Sequence, residues 1–221
     1  MIDYDEELLS PALHGKPSEE YNRLYYAVAT AIRDEIAGPA FIRTDITSAK
    51  HAGREAYVVD GKNEDGLNTA LLRTLAASQL KTYFQKIKGS AIMVRPLLDI
   101  KATRTAFNGL PVGMKEWRIF ADQRGVQCTH LYWPEEALVG KMDDGGEPLV
   151  LNKENWFDGW YSTEIADVAK IAARQMGGLK WSIDFAEDTT GKLWLLDMAT
   201  AGNSYHDPSC KFFGLDNMEK I

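Results

Sequence analysis

The sequence predicts an α+β fold, with helices mixed among mostly antiparallel strands. Three segments carry apolar residues at helical spacing, several short runs alternate as strands do, and neighbouring strands are joined by tight turns. Repeated strand–helix–strand units are absent, and so is any internal repeat. At 221 residues the chain is long enough to bury a sizeable core, as one domain or as two small lobes around a cleft.

Residues 1–16 show no clear period and read as an irregular lead-in. Ser18 caps a helix over about 18–37, with Glu19 and Glu20 in its first turn, where negative charge suits the positive helix end. Tyr21, Leu24, Tyr25, Val28 and Ile32 form its apolar stripe, and Gly38-Pro39 ends it. A strand is expected over 40–44, a polar segment at Ser48, Lys50 and Gly53, and a second strand within 55–60.

A helix over 68–88 follows, with Leu72, Leu75, Leu80, Tyr83, Phe84 and Ile87 on one side and Gly89 as its stop. Residues 91–98 read as a strand that Pro96 confines to an edge or an end, and 99–114 as a connecting loop. Strands at 116–121 and 126–133 are joined by a turn at 122–125, and 134–161 is an ordered loop rich in Gly, Pro, Asp and Trp. The third helix begins near Ser162, with Ile165, Val168, Ala169, Ala172 and Met176 on its inner face. Lys180–Glu187 and Leu193–Met198 close the pattern as a hairpin.

Composition narrows the functional classes. Hydrophobic residues make up 45% and charged residues 26%, the balance of a globular protein. No apolar run approaches the roughly 18 residues of a membrane span. The acidic start, with Asp3, Asp5, Glu6 and Glu7, is unlike the basic start of a secretory signal, so a cytoplasmic protein is expected. A net charge of −7 argues against general nucleic-acid binding but leaves room for a local basic site. Two cysteines, Cys128 and Cys210, are too few for a disulfide framework or for zinc without histidine help, and Cys128 reads as a small packed side chain. His14, His51 and His130 are scattered and suggest no ligand set.

The sharpest chemical signal is Trp181-Ser182-Ile183-Asp184-Phe185 followed by Leu193-Trp194-Leu195-Leu196-Asp197-Met198. Strand alternation puts Ser182 and Asp184 on one face and Trp181, Ile183 and Phe185 on the other; Leu195, Asp197 and Ala199 share a face of the partner strand. An even hairpin loop would bring Asp184 and Asp197 to the same side. Paired carboxylates suit Mg²⁺, a hard ion that takes carboxylate, phosphate and water oxygens; the plain alternative is two solvated aspartates. Four basic residues stand in earlier strand contexts: Arg43, Lys50, Arg95 and Arg118. Arginine grips phosphate bidentately and lysine acts as a mobile point charge. No Gly-x-x-x-x-Gly-Lys-Ser/Thr loop or Gly-x-Gly-x-x-Gly turn is present, so any nucleotide is held another way.

This ordered set resembles the ATP-grasp superfamily over about residues 40–204. It is most similar to small phage and bacterial members and to the eukaryotic member that assembles a translation initiation complex. The elements that carry the likeness are Arg43 with Ser48-Ala49-Lys50, Met93-Val94-Arg95-Pro96-Leu97, Glu116-Trp117-Arg118-Ile119-Phe120 with Tyr132-Trp133, Ile183-Asp184-Phe185, and Leu195-Leu196-Asp197. The resemblance implies a single ATP-grasp-like unit over 1–221, with lobes at about 17–98 and 99–221 enclosing a nucleotide cleft. The usual extra N-terminal domain would be reduced to the helix at 18–37.

The resemblance also implies ATP and Mg²⁺ as cofactors. Arg43 and Lys50 would contact phosphates, backbone groups from Arg95 through Leu97 and Leu98 would lie by the adenine and Asp99 by the ribose, and Glu116 would lie in the ATP site. Arg118 would act as the catalytic arginine at the γ-phosphate, and Asp184 and Asp197 would hold the metal. Ala199 stands where the family carries Asn, two positions after the second acidic residue. Asn203 or Thr200 is then the substitute oxygen, and Ser204 and His206 are acceptor-site candidates.

Three functions follow. The first is a carboxylate–amine ligase working through an acyl phosphate on an acceptor of unidentified kind: a small molecule, a peptide or a protein. The second is an ATP-binding assembly factor without turnover, which Ala199 and the aromatic run Trp156-Phe157-Asp158-Gly159-Trp160-Tyr161 favour. The third is a polynucleotide-ligase-like nucleotidyltransferase, from the Lys50-His51-Ala52-Gly53 segment, whose Ala52 replaces the expected Asp.

Overall fold

Helices and antiparallel sheets do make up the chain, in the α+β class. The structure, a computed structural model, describes residues 1–16, 18–36, 38–47, 58–59, 64–102, 104–112, 115–147, 163–208, 210 and 212. The chain divides into two compact units. One comprises Met1–Leu98 with Phe107–Leu110; the other comprises Asp99–Ala106 with Pro111–Ile221.

The first unit opens with strand β1 (Ile2–Asp3) and helix α1 (Glu6–Leu13), where an irregular lead-in was expected. Asp5 starts α1 by accepting a hydrogen bond from the Glu7 amide at 2.9 Å, and Leu9 is buried. Helix α2 (Glu19–Ala31) is capped by Ser18, which accepts from the Tyr21 amide, and it runs on into a wider π turn at Ile32–Ile36. Leu24, Val28 and Ile32 of the expected stripe are fully buried.

Strand β2 (Ala40–Thr44), β3 (Val58–Val59) and β4 (Ala91–Pro96) complete a sheet of order β1-β4-β2-β3. Strand β4 is therefore an inner strand. Its proline is tolerated because it is the last residue, where a missing amide donor costs no central ladder bond. Helix α3 (Glu64–Gln85) packs on β2 and buries Leu67, Ala70, Leu71, Thr74, Leu75 and Ser78. This differs from the expected face. Leu80, Tyr83, Phe84 and Ile87 are exposed, and the helix ends before Gly89, at Lys86 with φ 59°.

The second unit holds strands β7 (Glu116–Asp122), β8 (Gly125–Leu131), β9 (Trp181–Glu187) and β10 (Leu193–Thr200), in the order β10-β9-β7-β8 with antiparallel neighbours. The stretch at 99–114, expected to be a loop, instead carries a small two-stranded sheet of β5 (Arg104–Ala106) and β6 (Leu110–Val112). Their turn places Phe107, Asn108 and Gly109 all at positive φ. A short helix α4 (Glu135–Leu138) lies in the 134–161 region, whose residues from 148 on fall outside the described set.

Helix α5 (Thr163–Gln175) covers one face of the four-stranded sheet. Ile165, Ala169 and Ala173 pack with Trp117, Ile119, Ala121, Ile183 and Phe185, while Val168 and Met176, expected inside, are exposed. The alternation of β7 and β9 therefore leaves Glu116, Arg118, Phe120, Ser182 and Asp184 on the face away from α5. Among the described residues no helix is long and apolar enough to cross a membrane.

Candidate functional site

One row of polar side chains crosses that outer face. Strand register sets His130 opposite Arg118, Arg118 opposite Asp184, and Asp184 opposite Asp197, running β8–β7–β9–β10. Opposed residues of an antiparallel pair share a face, so four strands contribute one residue each.

Asp197 reaches this row through an irregularity. Leu193 pairs with Glu187, so the five residues 188–192 lie between them. That number is odd, and a regular ladder would set Asp197 opposite Ile183, on the core face. A bulge at Leu196 adds one residue: Leu195 opposes Phe185, and Asp197 opposes Asp184. The extra residue re-aims everything beyond it. Leu195 and Asp197, expected on one face, are therefore on opposite ones, and Met198 returns to the core opposite Ile183.

Arg118 grips Asp184 bidentately, with its Nε 2.9 Å from one carboxylate oxygen and Nη2 3.0 Å from the other. The side chains are 15% and 9% exposed. Burial pulls the Arg118 pKa down, but hydrogen bonds to Asp184 and the charges of Asp184, Tyr132 and Asp197 outweigh it and leave it above the usual arginine value. The guanidinium also lies 4.8 Å from the centre of the Tyr132 ring and donates from Nη1 to the Tyr205 carbonyl at 3.4 Å. Asp197 is half-buried and accepts from the Met198 amide at 3.0 Å.

These donors suit one hard divalent cation. Two carboxylates face each other across a strand pair, and Ser182 lies two residues from Asp184 with its buried hydroxyl making no hydrogen bond among the described residues. Ser182 stands opposite Ala199, so an oxygen is present beside the position where alanine supplies none.

The remaining sequence candidates are distributed between the two units. In the first, Arg43 lies opposite Met93 and Arg95 opposite Phe41, which puts both arginines on one face of the sheet, away from buried Ala40 and Ile42. Arg95 stacks 4.6 Å from the Phe41 ring centre, and Arg43 donates to the Thr44 carbonyl at 3.1 Å. The Leu97 amide donates to the Pro39 carbonyl at 2.9 Å, and Leu98 is half-buried. Lys50, Ser48 and the Lys50-His51-Ala52-Gly53 segment lie outside the described residues, as do Trp156–Tyr161.

In the second unit, the Asp99 carboxylate accepts from the Thr189 hydroxyl at 2.9 Å. Glu116 is buried and shares the outer face with Arg118; its carbonyl accepts from the Tyr132 amide at 3.0 Å. Asn203 is exposed and donates from its amide to the Thr200 hydroxyl at 2.8 Å; Ser204 is half-buried. His206 is buried, with its ring stacked on Phe120 at 4.1 Å and 14°.

Sequence reasoning missed a second group on this face. His130, which looked isolated along the chain, meets Cys128, His206 and Cys210, with candidate ligand atoms all within 4.8 Å of one another. The available signals were the Cys128-x-His130 alternation on a strand and the His206-x-x-x-Cys210 spacing.

No family model matches the chain, and no curated protein matches it. Among solved structures it is similar to D-cycloserine synthetase DcsG, at 15% identity and a TM-score of 0.43, covering 79% of this chain and 52% of that one. It is also similar to N5-carboxyaminoimidazole ribonucleotide synthetase from Thermotoga maritima, at 12% identity and a TM-score of 0.33, covering 77% and 33% respectively. A third similar structure is N5-carboxyaminoimidazole synthetase from Staphylococcus aureus complexed with ADP, at 11% identity and a TM-score of 0.38, covering 81% and 42%. The chain thus spans between a third and about half of their lengths.

Proposed function

We propose that the chain binds ATP with Mg²⁺ through the Arg118–Asp184–Asp197 row and acts as an ATP-grasp carboxylate–amine ligase. The observation that carries the reading is the bulge at Leu196, which brings Asp197 opposite a buried Asp184 already matched to an arginine. Two adjacent carboxylates, one of them buried, repel unless cations lie beside them; Arg118 supplies one positive charge and Mg²⁺ would supply more.

Asp184 and Asp197 would hold the magnesium, with Ser182 or Asn203 as a further oxygen. The ion would supply charge neutralisation at the phosphates. Arg118 has two partners in prospect, Asp184 and the γ-phosphate, and a guanidinium is a cation with either. The resemblance adds Arg43 and Lys50 as phosphate contacts, backbone groups of residues 95–98 by the adenine, Asp99 by the ribose, and Glu116 as a further ATP-site residue. An acceptor carboxylate would attack the γ-phosphate, ADP would leave, and an amine would displace phosphate from the acyl phosphate. Ser204 lies close in sequence to Tyr205, whose carbonyl meets Arg118, which keeps it a candidate for the acceptor side.

Ala199 favours a second reading, in which ATP is bound but not turned over and the protein serves as an assembly factor. Position 199 faces Ser182 with a methyl group, so a two-metal arrangement lacks one oxygen there.

Calorimetric titration of ATP with and without Mg²⁺, on wild type and on D184N/D197N, tests the site. Magnesium-dependent binding that the double variant loses is expected. Absence of ATP binding by the wild type would remove both readings. Given binding, hydroxylamine trapping of an acyl phosphate across a panel of carboxylates separates the ligase from the assembly factor.

A further inference from the structure

We propose that Cys128, His130, His206 and Cys210 form a tetrahedral Cys₂His₂ site for Zn²⁺ that clips the late segment bearing His206 and Cys210 onto β8. The inference does not depend on nucleotide binding. All four residues are between 3% and 7% exposed, and their candidate ligand atoms lie within 4.8 Å of one another. A zinc tetrahedron with bonds of about 2.0–2.3 Å has ligand–ligand edges of roughly 3.3–3.8 Å. Cys128 Sγ and His206 Nε2 already stand 3.4 Å apart, and the widest pair needs to close by about 1 Å.

The backbone explains why these residues converge. Cys128 and His130 are two apart on β8, so their side chains leave the same face. His206 and Cys210 are joined by a turn in which the Cys210 amide donates to the Asp207 carbonyl at 3.0 Å. The surroundings suit metal-bound sulfur. The Phe212 amide donates to Cys210 Sγ at 3.5 Å, a contact that steadies a thiolate. Phe120 stacks on His206 and meets His130 edge-on at 5.7 Å, and Ala201 and Phe212 complete an apolar wall.

Charge and chemistry select the ion. Two thiolates neutralise a divalent cation, so the assembled site is uncharged and its burial carries no net-charge penalty. Thiolate plus imidazole in tetrahedral array is a zinc donor set, whereas Mg²⁺ and Ca²⁺ take oxygen. Four protein ligands leave no open position, which marks a structural centre rather than a catalytic one. A Cys128–His206 nucleophile pair fits less well, because both side chains are closed to substrate. In this arrangement His206 is committed to the metal and is withdrawn from the acceptor side. The clip also fixes the segment whose Tyr205 carbonyl meets Arg118.

The full chain, freed of any metal-binding tag and purified without chelators, is assayed for zinc by mass spectrometry and then exchanged with Co²⁺. About one zinc per chain is expected, together with a cobalt spectrum showing intense tetrahedral bands and thiolate-to-cobalt charge transfer. C128S and C210S should lose zinc affinity by more than the about 10–100-fold that loss of an outer-shell partner costs. Because ligand variants can fail to fold, the wild-type cobalt spectrum decides alone. Zinc far below one per chain, cobalt bands without thiolate charge transfer, or a Cys128–Cys210 disulfide in the purified protein would overturn the assignment.

Discussion

Replacing Arg118 by methionine removes the guanidinium while keeping an unbranched side chain of similar reach. Asp184 is then left 9% exposed, stripped of bonds at 2.9 and 3.0 Å, with Asp197 directly opposite. Breaking one partner of a buried pair costs about 3–5 kcal/mol. The 15% exposure of Arg118 admits some water, so the lower figure of about 3 kcal/mol applies. At about 2–4 °C per kcal/mol for a chain of this size, Tm should fall by about 6–12 °C. In R118M/D184N the orphaned charge is gone, so the double variant should recover about 2 kcal/mol relative to the sum of the single losses. Mg²⁺ should stabilise R118M more than wild type, because a cation at the two carboxylates replaces the lost one. Thermal and urea unfolding followed by circular dichroism gives all three quantities. A Tm loss under about 2 °C, or strictly additive single variants, would refute the buried-charge argument.

Two further outcomes concern the β9–β10 hairpin. Asp188 is held at about 2, below its ordinary 3.8, by hydrogen bonds from Thr190 and Trp194 side chains and from the Thr190 and Lys192 amides. A carboxyl depressed in the folded state contributes stability above its unfolded pKa and loses it as pH falls through the folded one. The deficit of D188N in urea unfolding should therefore be full above pH 3.8 and shrink toward pH 2; an undiminished deficit at pH 2 would contradict this. The bulge is tested by cross-linking. Opposed antiparallel residues have Cα atoms roughly 4.5–5.5 Å apart, within disulfide range. Oxidised D184C/D197C should show the linked peptide by mass spectrometry and I183C/D197C should not; the reverse pattern would mean a regular ladder.

Local regularities were legible in the sequence. The Ser18 cap and the stripe of α2 rest on spacing within a dozen residues, and the β7–β8 and β9–β10 hairpins announce themselves by alternation and turn residues. Arg118 and Asp184 were legible as candidates because charge inside a strand is uncommon. The α3 face was misread because the buried face interleaves Leu67, Leu71 and Leu75 with Ala70, Thr74 and Ser78, which carry little apolar signal, whereas the large apolar residues near the helix end remain in solvent.

By itself, then, the sequence determined the α+β class, the identity of most elements and the acidic hairpin, since each depends on periodicity along a short stretch of chain. Tertiary structure alone decided which side chains share a face. An odd loop and one bulged leucine together brought Asp197 to Asp184, and no residue type in the hairpin records that count. Likewise His206 and Cys210 reach Cys128 and His130 from 76 to 82 positions away, because folding back of the late segment, not local pattern, sets their distance.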